Sequence, residues 1–209
     1  MAVHDVSLIL SPDTPLYPGE RRFECEFYRT IADGDTSNNS RIAMGSHVGT
    51  HIDAPLHFVA GGRTVDEIAP DALVGPCALV DVGDADLITR PVLEALRLAG
   101  RERILFRTKN SAWIARRFEP AFVAFSAEGA RHLADMGPRL IGIDAPSLDP
   151  YKAPGHPAHM TLLGSAALEG AIEWLSLAGL EPGEYDLFCG PLPARGAEAA
   201  PCRVLLRRP

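Results

Sequence analysis

The sequence predicts an α/β protein with a mixed β-sheet or barrel-like core packed by helices, and three observations predict it. Strand-like and helix-like segments alternate between about residues 73 and 143. Strand-rich text stands at both ends of the chain, which favours a mixed sheet. The 209 residues, 46% hydrophobic and 22% charged, suffice for one domain (1–209) that buries about 70% of its unfolded surface. That composition excludes disordered and fibrous classes.

Taken in order, Val3 to Leu10 reads as β-structure, and Pro12, Pro15 and Pro18-Gly19 then impose an irregular excursion. A polar loop covers Ala32 to Asn39, and Arg41 to Phe58 is a Val-, Ile-, Thr- and His-rich extended stretch. Cys77 to Val82 reads as a strand, Arg90 to Ala99 as a helix and Arg103 to Arg107 as a second strand. Ser126 is the expected N-cap of a helix over Ala127 to Met136, with Glu128 in its first turn and Gly137 closing it. A buried strand follows at Leu140 to Ile143. Asp149 to Pro157 is a Pro-rich loop, Ser165 to Gly179 has the apolar spacing of an amphipathic helix, and Tyr185 to Cys189 and Cys202 to Leu206 close as strands.

A formal net charge of −7 repels polyanions, so nucleic acid is not an expected partner. No apolar run approaches the roughly 20 residues that span a bilayer, and no secretory leader pattern is present, so a cytoplasmic protein is expected. Cys25, Cys77, Cys189 and Cys202 are isolated singles without CxxC spacing. The last three sit in apolar text as small core residues, which suits a reducing compartment.

Chemistry concentrates between residues 47 and 57. His47, His51, Asp53 and His57 are all odd-numbered, so an extended chain turns them to one face and Val48, Ile52, Leu56 and Phe58 mostly to the other. A helix would throw Asp53 aside, and Gly49, Thr50, Ile52 and Pro55 disfavour one. On a straight strand His47 and His51 would stand roughly 13 Å apart at about 3.3 Å per residue, whereas bonds from a metal to His nitrogen are only about 2.0–2.1 Å. The chain must therefore bend, and Gly49 is the place for it. Pro55 can set a second turn that returns His57 to the cluster. Three imidazoles and a carboxylate suit Zn²⁺, Mn²⁺ or Fe²⁺, zinc first and manganese second, ahead of calcium and magnesium with their all-oxygen shells.

The string His47-Val-Gly-Thr-His-Ile-Asp-Ala-Pro-Leu-His57 resembles the HxGTHxDxPxH signature of the cyclase family of metal-dependent hydrolases. Tyr17-Pro18-Gly19, Leu105 to Thr108, Gly142 to Pro150 and Pro201 to Arg207 resemble its kynurenine formamidase branch, so the likeness spans essentially the whole chain. The resemblance implies a swivelling β/α/β fold, His47, His51 and Asp53 as direct ligands with Asp53 able to bridge two ions, and His57 as the acid/base. It also implies a late His, His159 ahead of His156, and a late Glu, Glu173 with Glu169 nearby. Family members are commonly dimers or larger, so a homodimer or larger homo-oligomer is expected, with Pro12 to Phe27 as its arm.

By the same resemblance the substrate is a small aryl amide, N-formyl-L-kynurenine, hydrolysed to formate and L-kynurenine by a metal-activated water. Phe23, Phe27, Tyr28, Phe58 and Trp113 are candidates for the ring's pocket, and Arg107 and Lys109 for its carboxylate, against the plainer reading of core aromatics and an exposed strand end. Tyr17 stands where a Trp is common and Glu20 where an Asp is. Two alternatives stand beside this reading: an isatin-hydrolase-like enzyme acting on a cyclic amide or lactone, and a protein with a closed structural zinc site. The chain has no GxSxG motif, so a serine mechanism does not fit.

Overall fold

The alternation read from residues 73 to 143 folds as the parallel part of a closed sheet. The computed structural model describes residues 2–209. Ten strands are formed: β1 (Val3–Asp5), β2 (Glu24–Arg29), β3 (Asn39–Ala43), β4 (His51–Asp53), β5 (Val74–Asp81), β6 (Arg103–Arg107), β7 (Leu140–Ile143), β8 (Gly170–Glu173), β9 (Gly183–Pro191) and β10 (Ala199–Arg207). The helices are α1 (Pro70–Leu73), α2 (Arg90–Ala95), α3 (Ala127–Met136) and α4 (Pro157–Leu163). Strands β5, β6, β7 and β8 run parallel to one another, whereas β4, β9 and β10 pair antiparallel with their neighbours. The order β10-β4-β8-β7-β6-β5-β9 returns to β10, giving a seven-stranded mixed barrel. β1 lies beside the C-terminal half of β10, past the end of β4 on the same edge. β2 and β3 form a separate hairpin.

Period-two alternation decides what fills the barrel and what covers it. Leu105, Leu140, Ile172, Ile52, Val204, Leu206, Leu187, Tyr185, Cys77, Cys189 and Cys202 share one apolar cluster, the barrel interior. Their strand neighbours Ile104, Phe106, Ile141, Ile143 and Ala171 face the other way and pack with Leu93, Leu133 and Leu162 of the covering helices. α3 begins at Ser126, whose Oγ accepts from Gly129 N at 2.9 Å, and ends at Gly137. α2 stops at Ala95, four residues short of the expected Ala99, because Leu96 turns extended and its N–H bonds Leu93 O.

The expected helix over Ser165 to Gly179 is not formed; Gly170–Glu173 is β8, wedged between β4 and β7. The spacing of Leu168, Ala171, Ile172 and Leu175 imitates a helical stripe, but on β8 Ala171 and Ile172 serve opposite faces of a doubly covered wall. Such a strand has no polar face to show its period. Buried Trp174, at φ 57, ends the strand directly after Glu173.

Candidate metal centre

The bend required of residues 47–57 occurs where the sequence permits it. Gly49 has φ 67, and a Cβ there would stand 2.7 Å from Leu10 Cδ2, so both conformation and space favour glycine. β4 then presents His51 and Asp53 on the outer face of the barrel and sends Ile52 inward. Pro55 opens a single 3-10 turn, Pro55–His57, that brings His57 under His47 with ring centroids 4.2 Å apart. Register does the rest: Glu173 of β8 lies directly opposite His51 of β4, so the two side chains share a face. His159 arrives from α4, which packs over that face.

The donor atoms converge. His47 Nδ1 and His51 Nε2 lie 3.1 and 3.4 Å from Asp53 Oδ1, and His51 Nε2 lies 3.5 Å from Glu173 Oε2. His159 Nε2 lies 3.2 Å from Glu173 Oε1 and 3.7 Å from Asp53 Oδ2. All of these separations exceed a charge-assisted hydrogen bond of about 2.7–2.9 Å. They match the roughly 3.4 Å edge of a tetrahedron whose centre is about 2.05 Å from each donor. His51 Nε2 and both Asp53 oxygens are buried without any hydrogen-bond partner, an arrangement that is costly unless a cation completes it. The residues present therefore fit a divalent ion, and Asp53 stands where it could serve two.

The imidazoles are also aimed from behind. His51 Nδ1 faces Gly49 O at 2.9 Å, His159 Nδ1 faces Asp149 Oδ2 at 2.6 Å, and His47 Nε2 faces Glu198 Oε1 at 3.3 Å. An acceptor on the outer nitrogen leaves the inner lone pair free for a metal. Asp149 in turn accepts from Ala158 N and His159 N at the start of α4, and Glu198 accepts from Ser46 Oγ at 2.6 Å. Sequence reasoning missed Asp149 and Glu198 as partners. Neither has a local signal: Asp149 stands in the loop ahead of α4, ten residues before His159, and Glu198 comes from just before β10.

Electrostatics separate His57 from the rest. Burial opposes charge on His51, but Asp53 and Glu173 outweigh it and push its pKa up to about 10. Burial likewise opposes protonation of His159 and His47, and their carboxylate neighbours raise both. Asp53, against its burial, is held well below the usual carboxylate range by His51, His159 and His47. His57 moves the opposite way: burial lowers it, and His47 and His159 oppose its charge further.

A cavity of about 210 Å³ opens onto these groups, lined also by Tyr17, Glu20, Phe58, Pro146, Ser147, His156 and Trp174. Phe58 stacks on His159 at 4.4 Å. Of the other aromatic candidates, Phe27 and Tyr28 are exposed on the hairpin, Trp113 packs beside the helical core, and Phe23 lines a separate groove beside β10. Arg107 pairs with Asp81 and Lys109 with Asp86, away from the cavity lining. Glu169 is engaged by Arg139 at 2.6 Å and by Ala69 N at 2.9 Å. His156 is exposed at the rim.

The Cyclase family model, described as "Putative cyclase", matches residues 4–150. A kynurenine formamidase of Salinibacter ruber is 35% identical, covering 99% of this chain and 98% of that protein. A solved structure titled as a potential metal-dependent hydrolase with cyclase activity superposes with a TM-score of 0.86 at 37% identity, covering 100% of this chain and 99% of the other. Isatin hydrolase A from Ralstonia solanacearum gives a TM-score of 0.82 at 25% identity, covering 98% and 91%.

Proposed function

This chain belongs to the cyclase family, and from that membership we propose that it is a metal-dependent amidohydrolase that cleaves N-formyl-L-kynurenine to formate and L-kynurenine in tryptophan catabolism. The observation that carries the metal is the set of buried, unpartnered atoms on His51 and Asp53, and the cavity that opens onto them gives a substrate access to it. The substrate is supported by likeness to the Salinibacter ruber enzyme over nearly the full length of both chains.

In this reading His47, His51, Asp53, His159 and Glu173 are the residues that would hold one or two divalent ions, zinc first and manganese second. A divalent ion held there would supply a water of pKa near 7 and polarise the amide carbonyl. The chain does the remaining work. His57, whose pKa burial lowers, would accept the attacking water's proton on a ring nitrogen and return it to the departing aryl nitrogen. Phe58 and Tyr17 present planar apolar surface to the ring and exclude water. The cavity of about 210 Å³ has room for one small aryl amide.

Metal analysis of purified protein and an assay on N-formyl-L-kynurenine test the proposal together. Hydrolysis at the uncatalysed rate by metal-replete protein rejects the substrate. A second reading, ring opening of isatin or a related cyclic amide, is favoured by the superposition on isatin hydrolase A, and isatin in the same assay separates the two. A closed structural zinc site would leave a His57→Ala protein with its metal and with nothing lost.

The protein acts as a homodimer in the cytoplasm in this proposal. Phe27, Tyr28, Ile31 and Ile42 on and beside the β2–β3 hairpin are each more than half exposed, and a free two-stranded ribbon is marginal alone. That hairpin is the stronger candidate arm than Pro12 to Phe27 as a whole. No helix among the described residues is long and apolar enough to cross a membrane, and buried Cys77, Cys189 and Cys202 are unbridged. Sedimentation analysis of the protein and of Tyr28→Glu/Ile42→Glu should find a dimer and a monomer respectively.

A further inference from the structure

The cavity's rim carries a carboxylate that the metal cluster does not use. A turn with Glu20 N bonded to Tyr17 O at 3.1 Å carries Glu20 to the same cavity that holds His47, His57 and Phe58. Its side chain lies against the bare backbone of Gly45, where an added Cβ would stand 2.6 Å from Glu20 Oε2. Gly45 N is meanwhile tied to Arg21 O at 3.0 Å, so the seat is part of a fixed backbone pairing.

The other acids of the cavity and its surround are engaged. Asp53 and Glu173 face the imidazoles, Asp149 serves α4 and His159, and Glu198 takes Ser46 and His47. The adjacent Arg22 guanidinium donates to Pro12 O. Among the described residues Glu20 takes neither an ion-pair partner nor a side-chain hydrogen-bond donor. A part-buried carboxylate facing a cavity loses hydration without return unless a ligand supplies a donor.

Resting on the amide-hydrolase reading above, we propose that Glu20 is a specificity-determining residue whose carboxylate binds an ammonium group of the substrate, so that the pocket selects aryl amides bearing a primary amine. The metal cluster fixes the amide at one end of the cavity. Glu20 fixes the far end of the molecule and sets which way the aryl ring lies between Tyr17 and Phe58. An anionic substrate without the ammonium meets only repulsion at this point.

The test compares N-formyl-L-kynurenine with its deamino counterpart, 4-(2-formamidophenyl)-4-oxobutanoate, which keeps the ring, ketone, formamide and carboxylate. Metal-replete wild-type protein should favour the amine-bearing substrate about tenfold or more in kcat/KM. Glu20→Gln should collapse that ratio to within about threefold through KM, and Glu20→Asp should restore part of it. Gly45→Ala, which keeps Glu20 in the sequence but fills its seat, should also reduce the ratio. A ratio unchanged in Glu20→Gln, or an equal loss on both substrates, overturns the subsite. Calorimetric binding of L-kynurenine against 4-(2-aminophenyl)-4-oxobutanoate reads the same preference without turnover. An ammonium preference in binding that Glu20→Gln abolishes upholds the subsite even where neither formamide is hydrolysed. Equal hydrolysis of both formamides by the wild type upholds the reaction and overturns the subsite.

Discussion

Among the four imidazoles of the cluster, His57 alone has no acceptor behind it. It is held by rings, with His47 at 4.2 Å and Phe58 at 4.5 Å. In the proposed reaction His57 carries a proton out and back, which that freedom would serve, whereas His47, His51 and His159 are fixed by Glu198, Gly49 and Asp149. His57→Ala should therefore lower kcat by about 10²–10⁴-fold while elemental analysis finds its metal retained. Asp53→Asn should lose the metal. The pH dependence of binding has a definite sign. In the metal-free protein His51 is raised from 6.5 to about 10, so its contribution to stability is full below 6.5 and is lost as pH rises through about 10. An ion must displace those protons, so metal affinity, read by chelator competition, should increase with pH over the same interval. Affinity flat from pH 6.5 to 9 would contradict the cluster's electrostatics.

Elements decide which of two neighbouring acids meets the imidazoles. Glu169 and Glu173 are four apart, and on the helix expected for Ser165 to Gly179 they would share a face. On the barrel wall Glu169 precedes β8 and joins Arg139, and Glu173 ends it opposite His51. Glu173→Gln should thus weaken metal binding. Glu169→Gln should keep the metal and lower stability by about 1–3 kcal/mol, the usual cost of leaving hydrogen-bonded partners unsatisfied, as a shift in the urea midpoint. Gly49→Ala tests the bend: a left-handed Cβ costs roughly 1–2 kcal/mol, and its clash with Leu10 should reduce metal content as well. The bend, the 3-10 turn at Pro55 and the shared face of His51 and Asp53 were legible because all depend on residues within one short string. β8 was not, because a strand covered on both faces carries no alternation, and its partners are set by the distant β4 and β7.

At the scale of the molecule, the strand-helix-strand run from β5 to β7 was readable from local periodicity, but closure of the ring was not. Closure depends on β10, which pairs with β1 and β4 along one edge and β9 along the other. His159 and Glu173 entered through likeness to a known signature, and Asp149 and Glu198 became visible only once α4 and β10 were in place. The position of β4 also bears on how the chain acquires its ion. His51 and Asp53 are held between β8 and β10, strands on the order of a hundred or more residues further along the chain, and such distant pairings form slowly. The complete set of donors exists only once those pairings have formed. Adding zinc during refolding should leave the rate of folding nearly unchanged and slow unfolding instead, so that the ion works as a latch on the finished protein and not as a seed for it.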